Sequence, residues 1–464
     1  METMNFSGYS HRFLARFVIE AKTPLAVGNG EKDIITEALV ATDVNGLPYI
    51  PGTAIAGVVR HMLEDAGVDT THFGFQADDN GQGSEIIFTE AKILNSKGEV
   101  IDGLNLKAKE DDLLKHYAEL PIRQRVRINE KGVTDKSGKF DEQVVFAGTR
   151  FCFEMEMLAK NAEDESRFNE ALEQIQDKTF RIGSGTRCGF GEIEVNKLYR
   201  RSLNLKDSDD LNLYLAKSSN LSNEWKDCEK QENKDEKTAV GWIKYELKLK
   251  PEDFFLFGSG FGDDEADMTP VKEKKVDWST GIGKIVEDCV LIPATSVKGA
   301  LAHRVAYHCN RLLGRFAGRD GGKEPKVGND NEAVQALFGY ESQDEKKQVR
   351  GNLLFSDVIE AKKLDDKILN HVAIDRFTGG AIDGALFSEK TTYITDSDKT
   401  FTLTIFANPK AWKNDEKIKE SFESALKDLC DGMLPLGGGV NRGNGVFTGT
   451  IKRDNEILYS GKEA

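Results

Sequence analysis

The feature that most constrains this chain is that it repeats itself. Ile50-Pro-Gly-Thr-Ala-Ile-Ala-Gly57 is echoed 242 positions later by Ile292-Pro-Ala-Thr-Ser-Val-Lys-Gly299. Each copy follows a strand-like run and a G-x-G turn, Pro24-Leu-Ala-Val-Gly-Asn-Gly30 in the first half and Phe254-Phe-Leu-Phe-Gly-Ser-Gly260 in the second. Further on, Phe168-x-x-Ala171-Leu172-x-x-Ile175 matches Phe422-x-x-Ala425-Leu426-x-x-Leu429 at an offset of 254, and Gly183-x-Gly185-x-x-x-Gly189-x-Gly191 matches Gly437-x-Gly439-x-x-x-Gly443-x-Gly445 at the same offset. Segments that match in the same order imply a duplicated unit of about 200 residues, spanning roughly 12 to 200 and 240 to 455.

Between the copies, Asp207 to Lys237 is rich in Ser, Asn, Asp, Glu and Lys and offers little apolar surface to bury. The expected organisation is therefore a first domain over 1–205, a polar linker over 206–238 and a second domain over 239–464. A chain of 464 residues suits two or three domains, and 39% hydrophobic with 30% charged residues is ordinary for a globular protein. Neither a run of about 18 apolar residues nor an apolar signal core appears, so a cytoplasmic protein with no membrane partner is expected.

Six cysteines, Cys152, Cys188, Cys228, Cys289, Cys309 and Cys430, include no C-x-x-C pair, which argues against a disulfide framework and a zinc finger. The neighbours His308 and Cys309 read as helix surface and core rather than as ligands, and no zinc is expected. A formal charge of −15 repels nucleic acid at long range, so any RNA site must be local.

Within each unit, Ile243-Lys-Tyr-Glu-Leu-Lys-Leu249 alternates as a strand with one buried face, and Phe13 to Glu20 holds the matching place in the first half. Thr53 and Thr295 stand where helix N-caps belong, each opening a helix. Strands at Phe151–Met157 and Phe401–Phe406, the Phe/Ala/Leu helix, the Gly-rich loop and a last short strand follow. The fold class is thus α+β, a split βαβ, ferredoxin-like (RRM-like) sheet with long insertions, present twice in tandem.

Three segments resemble the RAMP superfamily, and within it the backbone subunits (Cas seven family) of type III CRISPR effectors. They are Gly46-Leu-Pro-Tyr-Ile-Pro-Gly-Thr53 with the Gly57 helix, His371 to Phe387, and the two Gly-rich loops. The resemblance implies a guide RNA running along stacked domains, thumb hairpins that interrupt the guide–target duplex, and in some members cleavage of target RNA with a divalent metal, here expected as Mg2+. It implies as partners the CRISPR guide RNA, a complementary target RNA, a large polymerase-like subunit, a small subunit and further backbone RAMPs.

Candidate RNA-binding residues follow from charge and position. Arg187, Asn441 and Arg442 lie inside the loops built on Gly183, Gly185, Gly189, Gly191, Gly437, Gly439, Gly443 and Gly445, where exposed backbone N–H groups make an anion nest, although a tight turn needs the same glycines. Arg60, Lys298, His303 and Arg304 lie on the helices after the Ile-Pro motifs, whose N-termini favour anions; a solvated helix face is the plain alternative. The thumb candidates are Arg125 to Gly132, with Arg125 and Arg127, and Asp375 to Ala381, with Arg376 and Phe377, side chains that stack on or wedge between bases.

For cleavage, the resemblance places an aspartate between the G-x-G turn and the Ile-Pro motif. Asp267 matches in the second half as catalytic and metal-holding residue, with Asp263, Asp264 and Glu265 as auxiliary ligands; a merely solvated acidic loop is the alternative. In the first half Glu37 holds that place, with Asp33 nearby. The leading reading is a guide-binding backbone subunit with metal-dependent endoribonuclease activity. The alternatives are a purely structural RNA-binding subunit and a guide-processing RAMP nuclease, which would call for a histidine base; none of the seven histidines recurs at equivalent positions. The G-x-G patterns lack the strand–helix setting of a dinucleotide fold.

Overall fold

The computed structural model describes residues 8–32, 36–77, 80–129, 131–225, 228–231, 241–317, 324–341, 348–361, 364–396 and 399–461. The first unit runs β1 (His11–Ala21), α1 (Gly52–Asp65), the short hairpin β2 (Phe75–Ala77) and β3 (Asn80–Gln82), β4 (Ile86–Phe88) and β5 (Lys92–Ile93). It continues through the long hairpin β6 (Ile122–Ile128) and β7 (Thr134–Gln143), β8 (Arg150–Ala159), α2 (Glu165–Gln176), β9 (Ile193–Asn204), α3 (Ser208–Leu215) and β10 (Glu229–Gln231). The second unit runs β11 (Ile243–Pro251), β12 (Lys272–Asp277), β13 (Lys284–Ile292), α4 (Ala294–Leu312), α5 (Glu332–Phe338), β14 (Gly339–Glu341) and β15 (Gln348–Arg350). Then come β16 (Leu353–Phe355), β17 (Val358–Glu360), the long hairpin β18 (Asp365–Ile374) and β19 (Ala381–Tyr393), β20 (Phe401–Ala407), α6 (Glu416–Cys430), β21 (Phe447–Arg453) and β22 (Glu456–Ser460).

The sheets have the same order. β9-β1-β8-β4 and β21-β11-β20-β16 each set the first strand between the last and the third, the antiparallel ferredoxin-like arrangement expected from the sequence. Period-two alternation puts Phe13, Ala15, Phe17 and Ile19 of β1 on one face, against Ile55, Val59 and Leu63 of α1 and Phe168, Leu172 and Ile175 of α2. Tyr245, Leu247 and Leu249 of β11 do the same beneath α4 and α6. Burial of each such side chain contributes roughly 1.5–3 kcal/mol, so each unit owns a full core.

Two expectations change. The helices begin at Gly52 and Ala294, not after Thr53 and Thr295; Pro51 and Pro293 hold the cap positions and no side chain caps either helix from there. Proline fits because its fixed φ is already helical while its ψ stays extended. The described part of the stretch expected as a linker carries α3, capped by the Asp207 carboxylate, and β10, which pairs with β9. Leu211, Tyr214 and Trp225 pack there against Leu14 and Leu203 on the outer face of the first sheet, and Leu221 packs against Val18 and Cys152.

The halves meet along one seam. Val276 of β12 enters the first core, where Gly148 adopts φ near +83°; a Cβ at Gly148 would stand only 2.1 Å from the Val276 carbonyl oxygen, so only glycine fits. Trp278 donates its indole N–H to the Gly148 carbonyl at 2.8 Å and stacks beneath the Arg150 guanidinium. Deeper in the seam, Arg123 of β6 donates from Nε to Glu273 at 2.8 Å and from Nη1 to Asp357 at 2.9 Å, all three side chains being buried. The other Asp357 oxygen accepts the amide of Ala294, the first residue of α4, at 2.7 Å. Burial pushes the carboxyl groups of Asp357 and Glu273 up, against the pull of Arg123.

Arg123→Ala leaves two buried carboxylates without their cation, and the expected loss is about 3–5 kcal/mol at neutral pH, read from urea unfolding. Burial already raises both carboxyl pKa values and the Arg123 charge opposes it, so losing Arg123 raises them further; the folded variant then binds more protons than the folded wild type, and its deficit narrows as pH falls. A deficit that stays constant from pH 7.5 to 5.5 contradicts this account.

Candidate nucleic-acid interface

Strand pairing fixes which residues of the two units correspond. The isolated bridges Leu25↔Val145, Gly28↔Val40 and Ala38↔Glu142 recur as Phe255↔Thr392, Gly258↔Pro270 and Met268↔Glu389. Glu142 and Glu389 therefore hold one position, at the root of each long hairpin, and both are buried. Each carboxylate ties that hairpin to the Gly-rich loop of its own unit. Glu142 accepts from Arg125 of β6 and from the Ser184 hydroxyl. Glu389 accepts from Arg442 at 2.5 Å and Asn444 at 3.0 Å in the loop, and His371 of β18 stands 3.1 Å away. Burial raises the Glu389 carboxyl pKa, but the Arg442 and Asn444 hydrogen bonds and the Arg442 charge outweigh it and leave the group below its ordinary range.

The Gly-rich loops superpose in detail. Gly183 and Gly437 both sit at φ near +90°, and a Cβ there would stand 2.3 and 2.4 Å from the carbonyls of Ala26 and Leu256. Gly191 and Gly445 press equally hard on Ile182 and Leu436. Packing thus accounts for these glycines. Several loop amides are already donated inside the protein: Ser184 and Gly438 to Ala26 and Leu256, Cys188 and Arg442 to Gly185 and Gly439, Gly191 and Gly445 to Pro24 and Phe254. Those N–H groups are not available to a phosphate.

The loops differ in what they present. In the first, Arg187 is half-buried in the seam, donates to the Leu353 carbonyl at 3.3 Å and lies over Trp242. Burial, with Arg350 and Arg181 close by, lowers its pKa to about 10. In the second, Asn441 and Arg442 are exposed, and Arg442 lies over Phe387. Gly185, Gly189, Gly439 and Gly443 also take positive φ. Gly189 lies against Asp357 and Ala294 across the seam, while Gly443 faces open space.

The helix residues are placed less favourably. Arg60 donates to Glu64 at 2.9 Å and to the Gly74 carbonyl, and Arg304 donates to Asp428 at 2.5 Å and lies over Tyr307. The N-terminus of α4, expected to attract an RNA phosphate, is met at Ala294 by the Asp357 carboxylate, an anion of the protein itself. Lys298 is half-buried with its ammonium 3.9 Å from the Cys188 sulfur, and His303 is exposed. His308 bonds Asp428 at 2.7 Å, and Cys309 is buried in the second core.

Each long hairpin carries unusual apolar exposure. Val126, Ile128 and Val133 are exposed near Arg127 on the first, and Val372, Ile374, Leu386 and Phe377 on the second. Phe377 is 96% exposed. The Asp375 carboxylate accepts the amides of Phe377 and Thr378, fixing a turn that holds Phe377 and the exposed Arg376 outward. On the first hairpin the Arg125 guanidinium lies 5.3 Å from both the Phe140 and Phe190 rings.

Register also makes Glu37 the counterpart of Asp267, each one residue before the bridge to the buried glutamate. Both are exposed, and Asp33 lies outside the described residues. Asp267 accepts the Ser388 amide at 2.7 Å and its hydroxyl at 3.0 Å, and these bonds lower its pKa. Asp263 and Glu265 are 2.6 Å from Lys390, which pulls the Asp263 pKa down to about 2. Their charge is thus answered by an ammonium. Among the described residues no three acidic, His or Cys side chains gather as a ready metal cage.

The coupling glutamates were not anticipated from the sequence. Their signal was present but faint: a glutamate leads into the apolar or hydroxylic run that ends each return, in Glu142-Gln-Val-Val-Phe146 and Glu389-Lys-Thr-Thr-Tyr393. Between the halves, a cleft of about 1090 Å3 is lined by Thr53, Gly57, Gly183, Arg187, Trp242 and Arg350, so the first helix and first loop share one concave surface with the second unit. No helix among the described residues is long and apolar enough to cross a membrane.

No curated protein matched the chain. The family model of the RAMP superfamily matches it twice, over residues 18–194 and 281–448, one match to each structural unit. With both matches carrying the same sheet order, hairpin and Gly-rich loop, this chain belongs to the RAMP superfamily and holds two of its units in tandem.

Proposed function

We propose that this chain is a guide-RNA-binding backbone subunit of a type III CRISPR effector, and that its second unit cleaves bound target RNA. RAMP membership supports CRISPR-associated RNA binding. The observation that carries the reading further is the recurring hairpin rooted on Glu142 or Glu389, with exposed apolar side chains that lie outside the core of their own unit. An aromatic ring held out by its turn, as Phe377 is, suits stacking on or wedging between bases, worth about 1–3 kcal/mol per stacked base. Guide and target RNA are the partners, together with a large polymerase-like subunit, a small subunit and further RAMPs, in a cytoplasmic ribonucleoprotein.

For the chemistry, the lowered pKa of Asp267 makes it a weak base at neutral pH and a constant acceptor of hydrogen bonds. Its fit is to orienting a 2′-hydroxyl or a hydrated cation beside the phosphate. The donor set suits Mg2+ only as an ion shared with RNA oxygens and water, since Asp263 and Glu265 are engaged by Lys390. Such an ion would stabilise charge on the scissile phosphate; Asp267, held by Ser388, would set its place. Glu37 is the corresponding candidate in the first unit.

In the guide-loaded complex, Asp267→Ala is expected to slow one cut in the target by about 10²- to 10⁴-fold while guide and target binding stay within about twofold. Sequencing-gel products with and without EDTA read this. Cutting at every wild-type position at unchanged rate replaces the nuclease reading with that of a purely structural RNA-binding subunit.

Exposed and seam arginines should separate in RNA binding. Arg442→Ala is expected to lower the salt dependence of single-strand binding by about 0.7 in slope, the loss of one phosphate contact. Arg187→Ala should instead loosen the seam and leave the slope closer to wild type. Equal slopes for the two variants argue against this division.

A further inference from the structure

The seam inside this chain is a head-to-tail contact: the first unit gives its Gly-rich loop and hairpin root, and the second receives them on β12, β16 and the N-terminus of α4. A contact of that type between like units leaves one giving face and one receiving face open. Strand register shows what those open faces carry. The seam's donors are Arg123 and Arg187, and their counterparts on the second unit are Leu369, by pairing opposite Glu389 as Arg123 pairs opposite Glu142, and Asn441, by loop spacing.

The seam's acceptors change as well. Pairing of Ile50 with Ala91 and of Ile292 with Val358 makes Glu90 the counterpart of Asp357, and Asp43 stands for Glu273. Glu90 already binds Lys92 at 2.5 Å, and Asp43 accepts the amides of Asn45 and Leu47 in its own turn. Where Arg187 rests on Trp242 beside Leu354 and Phe406, the first unit has Arg12, Ile87 and Glu156. That corner is covered by the chain's own α3: Tyr214 lies under the Arg12 guanidinium and donates its hydroxyl to Glu156 at 2.6 Å.

We propose that this chain does not stack on copies of itself, and that the open face of its second unit, around Gly437–Gly445 and Leu369, receives a RAMP unit carried by a different chain. This rests on the proposal that the chain is a backbone subunit. Stacking of a second copy would place Leu369 and Asn441 against Asp43, Glu90 and Arg12, would rebuild neither ion pair that Arg123 makes in the seam, and would have to displace Tyr214. The open giving face, with its arginines replaced by an aliphatic and an amide, suits a receiving face that lacks the buried acid pair.

The test uses the full chain in its guide-loaded complex, with a benzophenone side chain replacing Asn441 as photocrosslinker. The expected adduct joins position 441 to a different polypeptide whose sequence carries a RAMP unit, and sedimentation velocity of the purified chain shows a monomer up to about 100 μM. Adducts to Arg12, to Ile86–Glu90 or to Asp43 of a second copy, concentration-dependent self-association, or the absence of any protein adduct at 441 overturns the proposal. Arg123→Leu, which puts at the seam the residue type found at the open face, is expected to speed amide exchange at Val358–Glu360 at least about tenfold. Unchanged exchange overturns the claim that these arginines encode docking. A purified complex that holds no guide RNA would overturn the backbone reading, whereas a guide-loaded complex with adducts to a second copy overturns this proposal alone.

Discussion

The Arg123 guanidinium lies between two carboxylates that belong to the other half of the chain, and the relative placement of the halves depends on that contact. Asp357 turns its second oxygen to the first amide of α4, so one ion pair also fixes the start of the helix that follows the second Ile-Pro motif. Arg123 and Arg125 both lie 5.3 Å from the Phe190 ring of the first Gly-rich loop. Hairpin, loop and seam therefore form one connected unit in the first half. Buried ion pairs add little net stability beside an apolar isostere, because desolvation offsets their attraction. Their value here is register, since a shift of one half against the other would part Arg123 from both buried carboxylates.

The second half builds the same junction without the seam. Glu389 takes the place of Glu142, His371 that of Arg125, and Asn444 that of Phe190. The ring that separates two guanidiniums in the first unit becomes an amide that hydrogen-bonds the carboxylate in the second. Both solutions hold hairpin to loop, yet only the first sets a guanidinium, that of Arg123, between buried acids of a neighbouring unit. The duplicated unit has kept its internal wiring while its outward residues have diverged.

How much of this the sequence revealed depends on the range of the interaction. Period-two alternation at Ile243–Leu249 and the repeated Phe/Ala/Leu pattern are local, so the ferredoxin-like core and the correspondence of Glu37 with Asp267 were legible. The helix starts were misplaced by a residue or two because Thr53 and Thr295 look like caps in isolation, whereas the Asp357 carboxylate that reaches Ala294 lies 63 residues away. The role of 208–225 escaped a composition reading for a similar cause: Leu211, Tyr214, Leu221 and Trp225 are few, but each meets an outward residue of the first sheet. Polarity averaged over the stretch conceals four well-placed apolar contacts.

The Gly-rich loops show why a motif and its chemistry separate. Identical spacing recurs because the same carbonyls, Ala26 and Leu256, Ile182 and Leu436, crowd the same Cβ positions. That requirement is met whether or not an anion ever binds. What differs between the loops is the cation and its surroundings: Arg187 turned inward over Trp242 with a depressed pKa, Arg442 exposed but held by a buried glutamate. A guanidinium positioned by a buried carboxylate keeps donors on its outer edge, in a fixed plane, at little further cost in side-chain entropy when a phosphate arrives. The outward presentation of Arg442 therefore depends on Glu389 beneath it, and the glycines let loop and strand come together.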